Sequence, residues 1–322
     1  MSKEFIHQPH DKLFKAGFSD PVNAAAFLRG EVPPALAAEI EWTSLRLESG
    51  SFVDSHFRHS ESDLLFSVSL GGSKCLIYIL FEHQTVEEPL MALRLLRYMV
   101  RIWEKEEKLM PRPEYLPVIL PVVLAQSAEV WELSPRFLSL FDPSSIKNEE
   151  TLRCIPDFSF RLIQLAALPF EAIRGTPFGI MTLRVMKAER AAKLLDSAVW
   201  DEALLVRLPK EAFEFLIRYI LSSEVDLEAF RHKVEEIQNI ETKRYAMTLA
   251  EQFRHEGRHE GRHEGIVAGQ QDAVLQVLAI RFNSIPEGLK ELILAIQDEA
   301  KLRELHRLSV QIGSIEEFSR AL

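Results

Sequence analysis

The reading of the chain turns on Glu61-Ser-Asp63-Leu-Leu-Phe-Ser-Val-Ser-Leu70, then Gly71-Gly72-Ser-Lys-Cys75, then Leu76-Ile-Tyr-Ile-Leu-Phe-Glu82-His83-Gln84. Two apolar, β-branched and aromatic runs meet at a Gly-Gly pair, which predicts a hairpin of buried strands. Side chains alternate along a strand, so Leu80, Glu82 and Gln84 face one way while Ile79, Phe81 and His83 face the other. Antiparallel pairing brings the start of the first run beside the end of the second. That makes Asp63 and Glu82 a candidate metal pair. A divalent ion such as Mg²⁺ takes carboxylate and water oxygens and can activate a water against a phosphodiester. Gln84 lies on the face of Glu82, where it would orient the attacking water or a phosphate oxygen, although an amide cannot act as a base. The spacing also suits two strand-end carboxylates that merely face solvent.

Beyond the hairpin the period changes from two to about 3.6. Leu90, Leu93, Leu96, Val100 and Trp103 recur at three- and four-residue intervals, so Thr85 to Met110 reads as an amphipathic helix. Arg94, Arg97 and Arg101 share another face, which either lines a nucleic-acid groove or is simply solvated. Pro111 and Pro113 end the helix. Leu116 to Leu124 is a continuous apolar run, the sign of a strand covered on both faces, and the intervening helix allows a parallel crossover. Gln126 follows this strand. Ile155 to Phe160 reads as a further short strand before an apolar helix at Leu162 to Leu168.

Ahead of the hairpin, Leu13, Phe14, Phe18, Val22 and Phe27 suit short helices, with Asp20 capping the second and Pro21 in its first turn. Between 52 and 60, Asp54, His56 and His59 lack the further ligands of a tetrahedral zinc site. Arg58, just ahead of the first strand, either grips a phosphate with its planar fork or pairs with Glu61.

Asp54 through Arg58, Ser60-Glu61-Ser62-Asp63, Tyr78 through Gln84, Pro89, Met91-Ala-Leu-Arg94-Leu-Leu-Arg-Tyr98 and His10-Asp11-Lys-Leu-Phe14-Lys15 together resemble the recombination-promoting nuclease family, also described as transposase-like. The likeness runs from about residue 7 to 310. It implies an α/β fold: a restriction-endonuclease-like core, with a mixed central sheet flanked by helices, plus a helical C-terminal region. It sets Asp63 and Glu82 on the metal-binding acids of the Asp…(Asp/Glu)-x-Lys motif and Gln84 on its lysine, so that this chain lacks the superfamily's lysine. It further makes Asp11 an accessory ligand and Lys15 a phosphate contact; Arg58, Arg94 and Arg97 are the further candidate phosphate contacts, read from the residues themselves. The expected activity is divalent-metal-dependent DNA endonuclease chemistry with Mg²⁺, Mn²⁺ or Ca²⁺. The alternative is a catalytically weak or inactive nuclease-fold protein that binds DNA or protein.

With 322 residues, 47% of them hydrophobic, the chain has ample material for a core. Two cysteines give neither a disulfide framework nor a metal motif. The start lacks a leader pattern and no run reaches membrane length, so a cytoplasmic protein is expected. A net charge of -10 argues against nonspecific coating of DNA, but it does not fix the local field at a site.

The organisation expected is a nuclease-like domain at 1–180, a helical region at 181–253, and a repeat-containing helix with a small helical module at 254–322. Residues 254–265 repeat Arg-His-Glu-Gly three times. On a helix Gly257, Gly261, Gly265 and Gly269 would form a strip without side-chain bulk, suited to close pairing with a second copy; a weakly ordered linker is the other reading, and metal binding by the histidines is disfavoured because nothing local completes a ligand set.

Overall fold

The computed structural model describes residues 9–48, 63–82, 87–109, 115–223 and 225–322. Arg58, His83 and Gln84 lie outside these residues, as do Asp54, His56 and His59. Three helices open the chain: α1 (Pro9–Phe18), α2 (Pro21–Glu31) and α3 (Pro34–Glu39). Strands β1 (Ile40–Leu47), β2 (Leu64–Leu70) and β3 (Ser73–Glu82) lead to helix α4 (Met91–Leu109) and strand β4 (Val118–Ala125). Helix α5 (Glu149–Arg153) and strand β5 (Arg161–Gln164) follow. The rest is helical: α6 (Pro177–Arg190), α7 (Glu202–Leu205), α8 (Lys210–Ser222), α9 (Leu227–Glu235), α10 (Ile240–Phe282), α11 (Glu287–Leu294), α12 (Glu299–Gln311) and α13 (Ile315–Ala321).

The hairpin forms as its sequence dictates. β2 and β3 pair antiparallel with Leu64 opposite Ile79 and Leu70 opposite Ser73. Gly71 and Gly72 turn the chain at φ of 56° and 83°, a conformation that side-chain-bearing residues rarely adopt and that matches the twist of the flanking strands. β1 joins on one side, antiparallel to β2, with an irregularity between Glu41 and Arg46. On the other side β3 pairs parallel with β4, and β4 with β5, so the sheet order is β1-β2-β3-β4-β5. The mixed sheet places β3 at its centre. Every residue of β3 from Cys75 to Glu82 is therefore buried.

Alternation divides the strand between two helical layers. Tyr78 and Leu80 join Leu65, Val123, Leu95 and Ile102 in the core under α4. Phe81 points to the opposite face, where Phe14 of α1 stacks on it with centroids 4.6 Å apart and planes 14° apart. α1 in turn packs on α6 and α8. Gly17 permits this approach, because a Cβ there would fall 2.6 Å from the Thr182 hydroxyl. Asp20 caps α2 by accepting a hydrogen bond from the Val22 amide at 2.9 Å, with Pro21 in the first turn as expected.

Two expectations need correction. The buried stripe of α4 is Met91, Ala92, Leu95, Tyr98, Met99 and Ile102, while Leu90 and Val100 are exposed; Leu93, Leu96 and Trp103 lie at its margin. The helix is thus rolled by about one residue, which turns Arg94 toward the sheet end. The last strand is Arg161–Gln164, not Ile155 to Phe160, and no helix follows at Leu162. Parallel pairing with β4 begins at Val122 opposite Arg161, and Ser159 makes only an isolated bridge with Arg136.

The mixed sheet flanked by helices, with helices continuing to the C-terminus, is the restriction-endonuclease-like arrangement implied by the sequence. The chain forms two compact units, 1–249 and 250–322, with the boundary inside α10. The second unit has its own core of Val274, Leu278, Leu289, Ile293, Leu305, Ile312 and Phe318. The Arg-His-Glu-Gly repeats are helical, and a Cβ at Gly257, Gly261, Gly265 or Gly269 would meet nothing within 4 Å.

Candidate active site

Asp63 immediately precedes β2, and the register that sets Leu64 opposite Ile79 puts Asp63 opposite Leu80. Cross-strand partners point to the same side of a sheet, so Asp63, Leu80 and Glu82 share the face covered by α4.

Each acid has a partner. The hydroxyl of Tyr78, one strand over, donates to Asp63 Oδ2 at 2.5 Å. Arg94 of α4 meets Glu82, its Nη1 lying 2.5 Å from Oε2. The Glu82 side chain is 3% exposed and that of Arg94 18%, so the pair is largely removed from water. Arg94 Nε also donates to the Tyr98 hydroxyl at 3.4 Å, one helical turn away. The rings of Tyr98 and Tyr78 lie 5.5 Å apart. The two carboxylates are therefore ends of one connected set, Asp63–Tyr78–Tyr98–Arg94–Glu82.

The electrostatics follow from this packing. Burial pushes the Tyr78 phenol well above its ordinary value, and the charge of Asp63 beside it pushes further in the same direction. For Arg94, burial opposes the charge, but the Tyr98 hydroxyl and the Glu82 carboxylate outweigh it and hold the guanidinium more firmly protonated than usual. Tyr78 is thus a fixed donor and Arg94 a permanent cation.

The remaining expected residues are dispersed. Asp11 is buried on α1, on the sheet face opposite α4, and Lys15 is half-buried on the same helix. Arg97 is exposed on α4. Arg94, expected on the same open face as Arg97, instead turns inward to Glu82. Among the described residues no three His, Cys, Asp or Glu side chains form a group that could hold a metal ion. A hard divalent ion needs several oxygen ligands. As arranged, the described residues offer it one carboxylate hydrogen-bonded by a phenol and one closed by a guanidinium.

Behind the site, Gln126 is completely buried, a role that its position after the apolar strand only hinted at. Its amide N–H donates to the Glu82 carbonyl at 2.8 Å. Its side chain donates to the Met186 carbonyl at 2.9 Å and reaches Glu189 at 3.4 Å. His10 Nδ1 lies 2.6 Å from the Tyr219 hydroxyl and 3.5 Å from the Gln126 amide. This cluster ties the site-bearing end of β3 to α1, α6 and α8. Burial raises the Glu189 carboxyl, while burial and then the Glu189 charge raise the Tyr219 phenol.

Sequence reading missed Tyr78 and Tyr98 as site residues. The available signal was the i, i+4 spacing of Arg94 and Tyr98 on the helix that must cross the sheet end.

Comparison with known proteins gives a consistent likeness. A family model described as "Putative transposase, YhgA-like" matches residues 8–212. The recombination-promoting nuclease RpnA of Escherichia coli strain K12 is 28% identical over 261 residues, covering 80% of this chain and 87% of the relative. RpnD of Escherichia coli O157:H7 is 32% identical over 166 residues, or 51% of this chain and 62% of the relative. The inactive recombination-promoting nuclease-like protein RpnE of strain K12 is 27% identical over 300 residues, covering 92% of this chain and 96% of the relative. No solved structure matches at a significant level.

Proposed function

The chain belongs to the YhgA-like transposase family, and from that premise we propose that it is a nuclease-fold DNA-binding protein with weak or absent catalytic power. The observation that carries this reading is the Glu82–Arg94 ion pair. The acid of the strand motif is already neutralised by a permanent cation from the chain itself, and Gln84 supplies no titratable group in place of the motif's lysine. The likeness to RpnE, a relative described as inactive and matched over nearly its whole length, supports the same reading. DNA is the proposed partner because the relatives are named for recombination, and exposed Arg97 gives α4 a cation able to contact a phosphate.

A second reading, a metal-dependent endonuclease, draws on the common face of Asp63 and Glu82 and on the likeness to RpnA, which is named a nuclease. Fluorescence anisotropy of labelled duplex DNA with the intact chain in chelator tests the first reading. Binding that weakens as salt is raised is expected, since phosphate contacts release counterions. Absence of binding without a divalent ion would overturn it.

A further inference from the structure

Helix α10 runs for 43 residues and is packed into apolar surroundings near both ends. Toward its start Ala246, Leu249 and Ala250 are at most 2% exposed, and toward its end Val267, Val274 and Leu278 are at most 3% exposed. Between these anchors none of residues 251–258 and 261–266 is buried. His263 does reach Glu299 of α12 at 2.7 Å, but the two side chains are 48% and 25% exposed, and an ion pair at the surface adds little stability.

The Arg-His-Glu-Gly repeats fill this stretch, and they are poor material for a helix without packing. A Cβ at Gly257, Gly261 or Gly265 would meet nothing within 4 Å, so no close neighbour repays the helix propensity that each glycine forfeits. The exact period of four also sets Arg254, Arg258 and Arg262 at the i, i+4 spacing, where like charges repel. The helix is continuous here because the packed ends spare the middle its costly nucleation step.

We infer that residues 251–266 are a protease-sensitive connector, a stretch of helix that opens and recloses while the packed parts of α10 on either side stay folded. Local opening is favoured where buried apolar contacts are few and the backbone hydrogen bonds face water, as they do here. An intact helix does not present an extended strand to a protease, so cleavage proceeds through the open form and tracks its population. The matching enzyme class is a trypsin-like protease, which cuts after arginine; the stretch offers Arg254, Arg258 and Arg262, all exposed. The step is hydrolysis: the bond from the arginine carbonyl carbon to the histidine nitrogen breaks, the carbon takes the hydroxyl of water and the nitrogen takes its proton.

The test uses the full chain, with trypsin as probe and cut sites assigned by mass spectrometry, beside peptide-resolved hydrogen exchange. Amides of residues 254–265 should exchange at least tenfold faster than those of 242–250 and 270–280 in the same helix, and native-state cuts should fall after Arg254, Arg258 or Arg262. Gly257→Ala/Gly261→Ala/Gly265→Ala, which keeps all three cut sites, should slow both exchange and cutting there about tenfold or more. Uniform protection along α10 would overturn the inference, as would exchange and cutting that the triple variant leaves unchanged. Protection of 254–265 that rises with protein concentration would also overturn it, because a second copy would then cover the stretch.

Discussion

Glu82 Oε2 lies 2.5 Å from Arg94 Nη1, and the carboxylate is the more deeply buried partner, its side chain 3% exposed against 18%. The asymmetry makes the two halves of the pair unequal in stability. Arg94→Gln removes the cation facing a buried carboxylate and should cost about 3–5 kcal/mol; Glu82→Gln should cost less, about 1–3 kcal/mol, because the arginine end already reaches solvent. The double variant should be more stable than the sum of the single losses implies. Urea unfolding of the four proteins provides the cycle. Equal single losses would show that burial does not control the pair.

Tyr78 should titrate late. Its phenol is raised by burial and then by the negative charge of Asp63, so ionisation is doubly opposed. Ultraviolet difference titration of the folded protein should place its phenolate well above the ordinary range, and Tyr78→Phe should reduce the late component by one tyrosine, leaving that of the buried Tyr219. The same substitution should cost about 1–2 kcal/mol, since Asp63 loses a donor. A titration curve unchanged by Tyr78→Phe would contradict the assignment.

Glu189 predicts a pH effect of determinate sign. Its folded-state value is raised above the ordinary 4.5 by burial, against the lowering influence of Arg190. The folded state therefore binds the proton more tightly than the unfolded state. Stability from the protonated carboxyl is fully present below the unfolded value and is lost as pH rises through the folded one. Glu189→Gln should gain on the unaltered protein at neutral pH, and the advantage should shrink as pH falls toward 4. Urea midpoints across that range test this; a difference that grows on acidification has the wrong sign.

The exposed glycines of α10 make a prediction about the C-terminal unit. A Cβ at Gly261 meets nothing within 4 Å, so Gly261→Ala should stabilise the helix by roughly 0.5–1 kcal/mol. Thermal unfolding combined with sedimentation checks it. Destabilisation together with a fall in sedimentation coefficient would instead mean that the strip packs on a second copy.

Much of this architecture was legible because local pattern and burial coincide. The Gly71-Gly72 pair and the alternating runs beside it specify the hairpin, and the apolar run at Leu116 to Leu124 specifies a strand covered on both faces. The roll of α4 was less accessible, because Leu90, Leu93, Leu96 and Val100 form as good a periodic stripe as the one buried. Only the packing of Leu95, Tyr98 and Ile102 on β3 and β4 decides between them. That same choice turns Arg94 inward, so a residue that the pattern assigned to an open face became the partner of Glu82. The short strand β5 was misplaced for a related reason: its pairing is nonlocal, set by Val122 and Arg161, and four residues carry little periodicity.

The most direct test of the central claim is nicking of supercoiled plasmid by the intact protein in Mg²⁺, beside Glu82→Gln and under single-turnover conditions. With Glu82 committed to Arg94, the unaltered protein should nick no faster than Glu82→Gln. Rapid Mg²⁺-dependent nicking that disappears in folded Glu82→Gln would contradict the account.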